Sequence, residues 1–154
     1  VSEVRKVFKK PIIAKLAPNV TSISEIAKAA ERGGADALSL INSVIGTSIN
    51  VNTWKPLLTN ITGGLTGPAI KPIALAMVRD VYRNCKLPII GIGGITDYRD
   101  VVEFMLCGAT AIQVGTQLFV DPTAPLKIVD GLKKYLKSKN LKSVTELIGK
   151  AHNN

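Results

Sequence analysis

Four short, nearly continuous apolar runs mark the chain: Pro11-Ile12-Ile13-Ala14-Lys15-Leu16, Ala37-Leu38-Ser39-Leu40-Ile41, Pro88-Ile89-Ile90-Gly91-Ile92 and Ala111-Ile112-Gln113-Val114. They do not alternate apolar with polar. Such runs predict strands covered on both faces, as in parallel sheets flanked by helices. Helical segments fall between them. One is expected over 23–32, capped by Thr21 or Ser22, with Glu25 in its first turn and Gly33-Gly34 as its stop. A second starts between Pro68 and Pro72 and reaches about 84. A third, over 98–106, has Asp97 as its cap and Gly108 at its end. Helices then fill roughly 123–138 and 143–150. A long connection covers 42–66. Strand followed by helix, four times over, predicts an α/β architecture with right-handed crossovers.

The chain also repeats itself. Lys10-Pro11-Ile12-Ile13-Ala14 is echoed by Leu87-Pro88-Ile89-Ile90-Gly91, and Gly34-Ala35-Asp36-Ala37-Leu38-Ser39-Leu40 by Gly108-Ala109-Thr110-Ala111-Ile112-Gln113-Val114. Two βαβα units in tandem follow. Repeated βα units build a TIM (β/α)8 barrel, which takes about 250 residues and eight strands. Four strands in 154 residues predict half of one, and the glycine turns discussed below make it the second half. A small doubly wound sheet is the other architecture the order allows. Residues 1–154 are read as a single partial domain with a helical tail from about 123. In a half barrel, inward-facing side chains such as Ile13, Leu40 and Ile90 would form an exposed apolar patch, and the strands of Ile12 and Ile112 would be open edges.

Composition narrows the class. The chain is 46% hydrophobic and 20% charged, which fits a globular domain and excludes a disordered one. No run approaches the about 18 uncharged apolar residues of a membrane span, so no membrane partner is expected. Two cysteines, Cys85 and Cys107, are too few for a disulfide framework, and a cytoplasmic location is the expectation. The chain begins Val1-Ser2-Glu3, with Val4, Val7 and Phe8 at helical spacing. That reads as the end of an amphipathic helix whose earlier part lies upstream, so the chain is expected to be a piece of something longer. The net charge of +9 is concentrated late, with seven basic and three acidic residues in 121–154. Lys127, Lys133, Lys134, Lys137, Lys139 and Lys142 read as a solvated helix face. No aromatic interleaves with them to stack bases, so no nucleic-acid partner is expected.

Ligand groups gather at the carboxyl ends of parallel strands. The first strand ends at Lys15, a cation costly to bury unless paired or facing negative charge. The second ends at Asn42-Ser43, which is either a turn or a contact to a polar substrate. The long connection carries Thr62-Gly63-Gly64-Leu65-Thr66-Gly67-Pro68, where the backbone can approach a ligand closely. The third strand runs into Gly93-Gly94 and the fourth into Gly115-Thr116. Amides beside such glycines, aimed from helix N-termini, bind phosphate, and barrels place their phosphate site after strands seven and eight. Gly91-x-Gly93-Gly94 is not a dinucleotide fingerprint, because the third glycine and the acidic residue downstream are absent. No Cys, His and carboxylate cluster suggests a metal. His152, the single histidine, is expected to fray with the terminus, and Cys85 and Cys107 to be structural.

These residues resemble a known family. Lys15-Leu16-Ala17-Pro18-Asn19-Val20-Thr21, Leu40-Ile41-Asn42-Ser43, Thr62 to Pro72, Ile89 to Ile95 and Gln113-Val114-Gly115-Thr116 occur in the order and spacing of the C-terminal half of class 1 dihydroorotate dehydrogenase, in versions similar to class 1B. The C-terminal domain of dihydropyrimidine dehydrogenase has similar motifs. The resemblance implies an FMN flavoprotein that oxidises dihydroorotate to orotate in pyrimidine biosynthesis. It implies that Lys15, Ile41, Gly67, Gly93, Gly94, Gly115 and Thr116 contact FMN, and that Asn42 and Ser43 contact the substrate. The family's general base would lie upstream of Val1, leaving no catalytic base here. The resemblance further implies a homo-oligomer completed by the N-terminal half, and a partner subunit carrying FAD and an iron–sulfur cluster that passes electrons to NAD. The alternative left open is a non-catalytic half barrel that binds phosphate or flavin.

Overall fold

The computed structural model describes residues 1–152. In chain order the elements are α1 (Ser2–Val7), β1 (Ile13–Leu16), α2 (Ile23–Arg32), β2 (Ala37–Leu40), β3 (Val44–Gly46), β4 (Ile49–Asn50), β5 (Lys55–Pro56), β6 (Gly63–Leu65), α3 (Lys71–Asn84), β7 (Ile89–Ile92), α4 (Tyr98–Leu106), β8 (Ala111–Gln113), α5 (Gln117–Val120) and α6 (Ala124–Ser138). Strands β1, β2, β7 and β8 form one sheet in that order, every neighbour parallel. These are the four strands that the apolar runs predict, and β1 and β8 are its edges.

The caps act where the sequence places them. The Ser22 hydroxyl accepts from the Glu25 N–H at the start of α2, and the Asp97 carboxylate accepts from the Arg99 N–H at the start of α4. Cys85 and Cys107 follow the last residues of α3 and α4, at the end of the sheet away from the strand C-termini. Burial pushes both thiols up, so neither is a poised nucleophile.

The strands are not covered on both faces. Register rows put Lys15, Ser39, Ile90 and Ala111 side by side on one face of the sheet, and Leu16, Leu40, Gly91 and Ile112 on the other. Helices α2, α3 and α4 pack only on the second face, where Leu38, Leu40 and Ile89 meet Val78, Val81, Val101 and Phe104, all fully or almost fully buried. Each such side chain contributes about 1.5–3 kcal/mol through burial. Leu40 therefore belongs to the helix-covered core, not to the inward face expected for it. The opposite face is open at its edge, where Ile13 is 53% exposed. A sheet with helices on one side only excludes the doubly wound arrangement, which needs both sides covered.

The long connection is more ordered than expected. It folds into two antiparallel ribbons, β3 with β6 and β4 with β5. At the other end, the expected helix over 143–150 is two short 3-10 turns, Val144–Leu147 and Lys150–His152. Gly149 between them has φ +72°, which no helix continues through. The lysines of the 121–154 stretch named above are all exposed. Among the described residues no helix is long and apolar enough to cross a membrane.

Candidate functional site

The carboxyl ends of the four parallel strands open into a cleft of about 340 Å³. Lys15 enters it from the end of β1, Ile41, Asn42 and Ser43 from the residues after β2, and Gly67 from the loop before α3. Gly93 and Gly94 enter after β7, and Gly115 and Thr116 after β8. The structure thus brings all nine residues that the resemblance assigns to flavin or substrate into one cavity, while Thr62, Gly63 and Gly64 of the long connection do not line it. Thr66, Thr96, Gln113 and Gln117 add polar groups, and Ile70, Ile92, Ile95 and Val120 add apolar surface.

Local hydrogen bonds explain how each group is held. The Ile41 N–H donates to the Ile92 carbonyl (3.0 Å) and the Asn42 N–H to the Leu16 carbonyl (3.0 Å), so the segment after β2 is clamped between its neighbouring strands. The Leu40–Ile41 peptide is cis. Asn19 fixes the next residues: its side-chain amide donates to the Ser43 carbonyl (3.2 Å) and its oxygen accepts from the Ile45 N–H (3.0 Å). The Ser43 side chain lies so close to Gly64 that a Cβ there would fall 2.3 Å from its hydroxyl oxygen. This is why β6 carries glycine opposite it.

The turn after β7 is the most constrained part of the cleft. Gly94 has φ +71°, and a Cβ on it would lie 2.8 Å from the Gly67 carbonyl oxygen and 2.8 Å from the Lys71 Cβ. Only glycine fits. The turn is fastened by Asp100 of α4, a residue the sequence reading did not single out. Its Oδ2 accepts from the Thr96 N–H (2.7 Å), the Thr96 hydroxyl (2.7 Å) and the Asp97 N–H (3.1 Å). Its Oδ1 accepts from Lys71 Nζ (2.6 Å), which also pairs with Glu103 at 3.0 Å. Burial pushes the Asp100 carboxyl up, but the Lys71 ammonium, the Thr96 hydroxyl and the two N–H groups outweigh it and hold the carboxyl at about 2. The signal available in the sequence was an acidic residue three positions after the Asp97 cap, the spacing of a capping box.

That network changes the expected anion chemistry. Asp100 takes the Thr96 and Asp97 N–H groups just before α4, and Asp97 takes that of Arg99 in its first turn, so these amides are not free to hold a phosphate. The N–H groups of Gly94, Gly115 and Thr116 have no acceptor among the described residues. Gly115 borders open space, since a Cβ on it would meet nothing within 4 Å. A narrow glycine turn with donor amides, next to such an open flank, suits a phosphate group. Lys15 brings a positive charge to the cleft from β1, at the edge of the sheet opposite β8: among the described residues no carboxylate pairs with it. Among the described residues it is also the only ionisable side chain lining the cleft, and no histidine, cysteine or carboxylate of theirs stands there. Among the described residues no group of three or more His, Cys, Asp or Glu side chains is placed to hold a metal.

His152 departs from expectation. It is not frayed: its Nε2 lies 3.0 Å from the Cys107 carbonyl and its ring centroid 4.8 Å from that of Tyr82. It stands outside the cleft.

The geometry can be set beside known proteins. The family model described as "Dihydroorotate dehydrogenase" matches residues 1–136. A curated relative from Parabacteroides distasonis, "Dihydroorotate dehydrogenase B (NAD(+)), catalytic subunit", is 56% identical over 97% of this chain and 49% of its own length. Relatives of the same name from Bacteroides fragilis and Caldicellulosiruptor bescii are 50% and 52% identical, over 97% and 95% of this chain. Each is again covered over 49% of its own length, so the chain spans about half the length of the curated relatives it matches. With the family match running from α1 into α6, through every strand and turn of the cleft, the chain belongs to the dihydroorotate dehydrogenase family.

Proposed function

We propose that this chain is the C-terminal half of a (β/α)8 barrel that oxidises dihydroorotate to orotate in pyrimidine biosynthesis, and that its cleft holds FMN and part of the substrate. The observation that carries the reading is the convergence of Lys15, Asn42, Ser43, Gly93, Gly94, Gly115 and Thr116 on one cleft at the strand carboxyl ends of a sheet with one bare face. The relatives' printed names supply the substrate class.

In this reading Gly94, Gly115 and Thr116 donate backbone N–H groups to the FMN phosphate, and Gly67, Gly93 and Ile41 shape the walls around the flavin. When bound, FMN would supply the acceptor for the hydride that leaves C6 of dihydroorotate. Lys15 places an ammonium group where negative charge develops, which stabilises the transition state electrostatically. The Asn42 amide and Ser43 hydroxyl orient the substrate's polar groups; both are pre-set by the Asn19 and Leu16 hydrogen bonds. No cleft side chain can take the C5 proton, so the general base comes from outside this chain. The name shared by the relatives, a catalytic subunit with NAD(+), supports a further subunit that passes electrons to NAD; that this partner carries FAD and an iron–sulfur cluster is part of the proposal. A homo-oligomer in the cytoplasm completes the proposal.

Flavin titration tests it. The chain is expected to quench FMN fluorescence saturably and Lys15→Ala to weaken that binding. FMN that remains fully fluorescent at every protein concentration refutes the reading.

A further inference from the structure

A second cleft, of about 340 Å³, lies where α3 meets the last 3-10 turn and is lined by Arg79, Tyr82, Arg83 and His152. Arg79, Tyr82 and Arg83 stand at i, i+3 and i+4, one face of α3. The walls are set firmly. The Tyr82 ring is seated by two glycines at positive φ. A Cβ on Gly108 (φ +115°) would lie 2.2 Å from the ring, and one on Gly149 (φ +72°) would lie 2.3 Å from its hydroxyl oxygen. His152 packs on that ring and is fixed to the Cys107 carbonyl. Arg79 is anchored by donating to the Ala151 carbonyl at 2.7 Å, and among the described residues its other N–H groups have no acceptor. Arg83 has no ion pair among the described residues, and neighbouring Asp80 is engaged by the Asn84 side-chain amide at 3.1 Å. Nothing in the flavin reading uses any of these groups.

We propose that this cleft is a binding site for a phosphate dianion, free or carried as a monoester. Two guanidinium groups one turn apart converge on it, and such groups match phosphate oxygens in charge and in paired geometry. The rigid Tyr82 and His152 wall closes one side. Docking of the C-terminal turn alone would explain Arg79, Tyr82 and His152, but not Arg83, which touches no part of that turn by hydrogen bond.

His152 is the single histidine of the chain, so its imidazole NMR signal reports on this cleft and not on the flavin cleft. Titration with inorganic phosphate and with phenyl phosphate at constant ionic strength is expected to move that signal saturably. Arg83→Glu should weaken the effect at least about tenfold, with the melting temperature unchanged. If that variant fails to fold, Arg83→Gln gives the same reading. Tighter binding of phenyl phosphate assigns the site to monoesters, and equal or weaker binding assigns it to free phosphate. An unmoved His152 signal, the same response to chloride, or undiminished binding by the Arg83 variant overturns the proposal.

Discussion

Lys71 and Asp100, 29 residues apart, meet at 2.6 Å beneath the glycine turn that follows β7. One carboxylate thereby joins the first turn of α3, the first turn of α4 and the backbone of Thr96. Gly94 rests on Lys71 in the same place, so the turn is held from below by an ion pair and at its side by three further hydrogen bonds. The rigidity of the proposed phosphate turn rests on this pair.

The pair should make stability depend on pH. The Asp100 carboxyl lies at about 2 in the folded chain, against an ordinary 3.8. Its stabilising effect is therefore complete above the unfolded value and is lost as pH falls from about 4 to about 2. The shift corresponds to about 2 kcal/mol. Denaturant melts of the parent and Asp100→Asn at pH 7 and pH 2.5 check this: the variant should be less stable by about that amount at pH 7, and the gap should shrink to roughly a third at pH 2.5. A difference that does not shrink with acid would count against it.

Two glycines of the cleft should differ in how alanine affects stability. At Gly94 the added Cβ meets the Gly67 carbonyl oxygen at 2.8 Å in a left-handed backbone, which should cost about 1–3 kcal/mol. At Gly115 it meets nothing within 4 Å, so stability should stay within about 0.5 kcal/mol. Both substitutions should still weaken FMN binding, the first by distorting the turn and the second by filling the flank. Melting temperature and flavin titration, measured together, separate the two effects.

The core offers a third check. Phe104 is fully buried, and a Cβ on Gly91 would lie 2.5 Å from its ring. Phe104→Ala should cost about 3–5 kcal/mol. Gly91→Ala should be strongly destabilising alone and much less so beside Phe104→Ala, because the two changes share one space. A double-mutant cycle that proves additive would show that Phe104 can move aside.

What was legible in the sequence follows from how locally each feature is encoded. Helices α2 and α4 carry their own caps and glycine stops, so their limits could be read directly. The parallel strands were recognisable as apolar runs, but a continuous run hides which residues share a face. That parity appears only in the register of Lys15 with Ser39 and Leu16 with Leu40, which is why Leu40 was placed on the wrong side. The ribbons between 44 and 65 pair Val44 with Leu65 and Ile49 with Pro56; strands of two or three residues have no measurable periodicity. The cleft residues were legible because their motifs resemble a family's. Asp100 was not, since one acidic residue in a first turn looks like ordinary helix capping until its partners 4 and 29 residues away are known.

The same bare face that reveals the half-barrel architecture should govern the chain's behaviour in solution. Ile13 on the sheet, Ile45 on β3, Val51 and Trp54 in the turn between β4 and β5, and Leu57 just after β5 are all more than half exposed, and β1 and β8 present unpaired edges. Apolar surface of this kind recruits partners. Sedimentation is expected to show concentration-dependent self-association, reduced by Trp54→Lys.

Self-association should not produce turnover. Every copy contributes a cleft whose only ionisable side chain among the described residues is Lys15, a cation suited to stabilising charge rather than to removing the C5 proton. Two copies supply two proposed phosphate turns and no base. Absence of a positioned general base lowers a rate by about 10²–10⁴-fold. The chain mixed with FMN, dihydroorotate and a dye acceptor should therefore bind flavin without reducing dye appreciably. Adding a separately expressed N-terminal half from one of the matched relatives should restore dye reduction, and Lys15→Ala should abolish the restored rate. Rapid dye reduction by the chain alone would show that the proton leaves by another route, and would overturn the assignment of the base to a segment outside this chain.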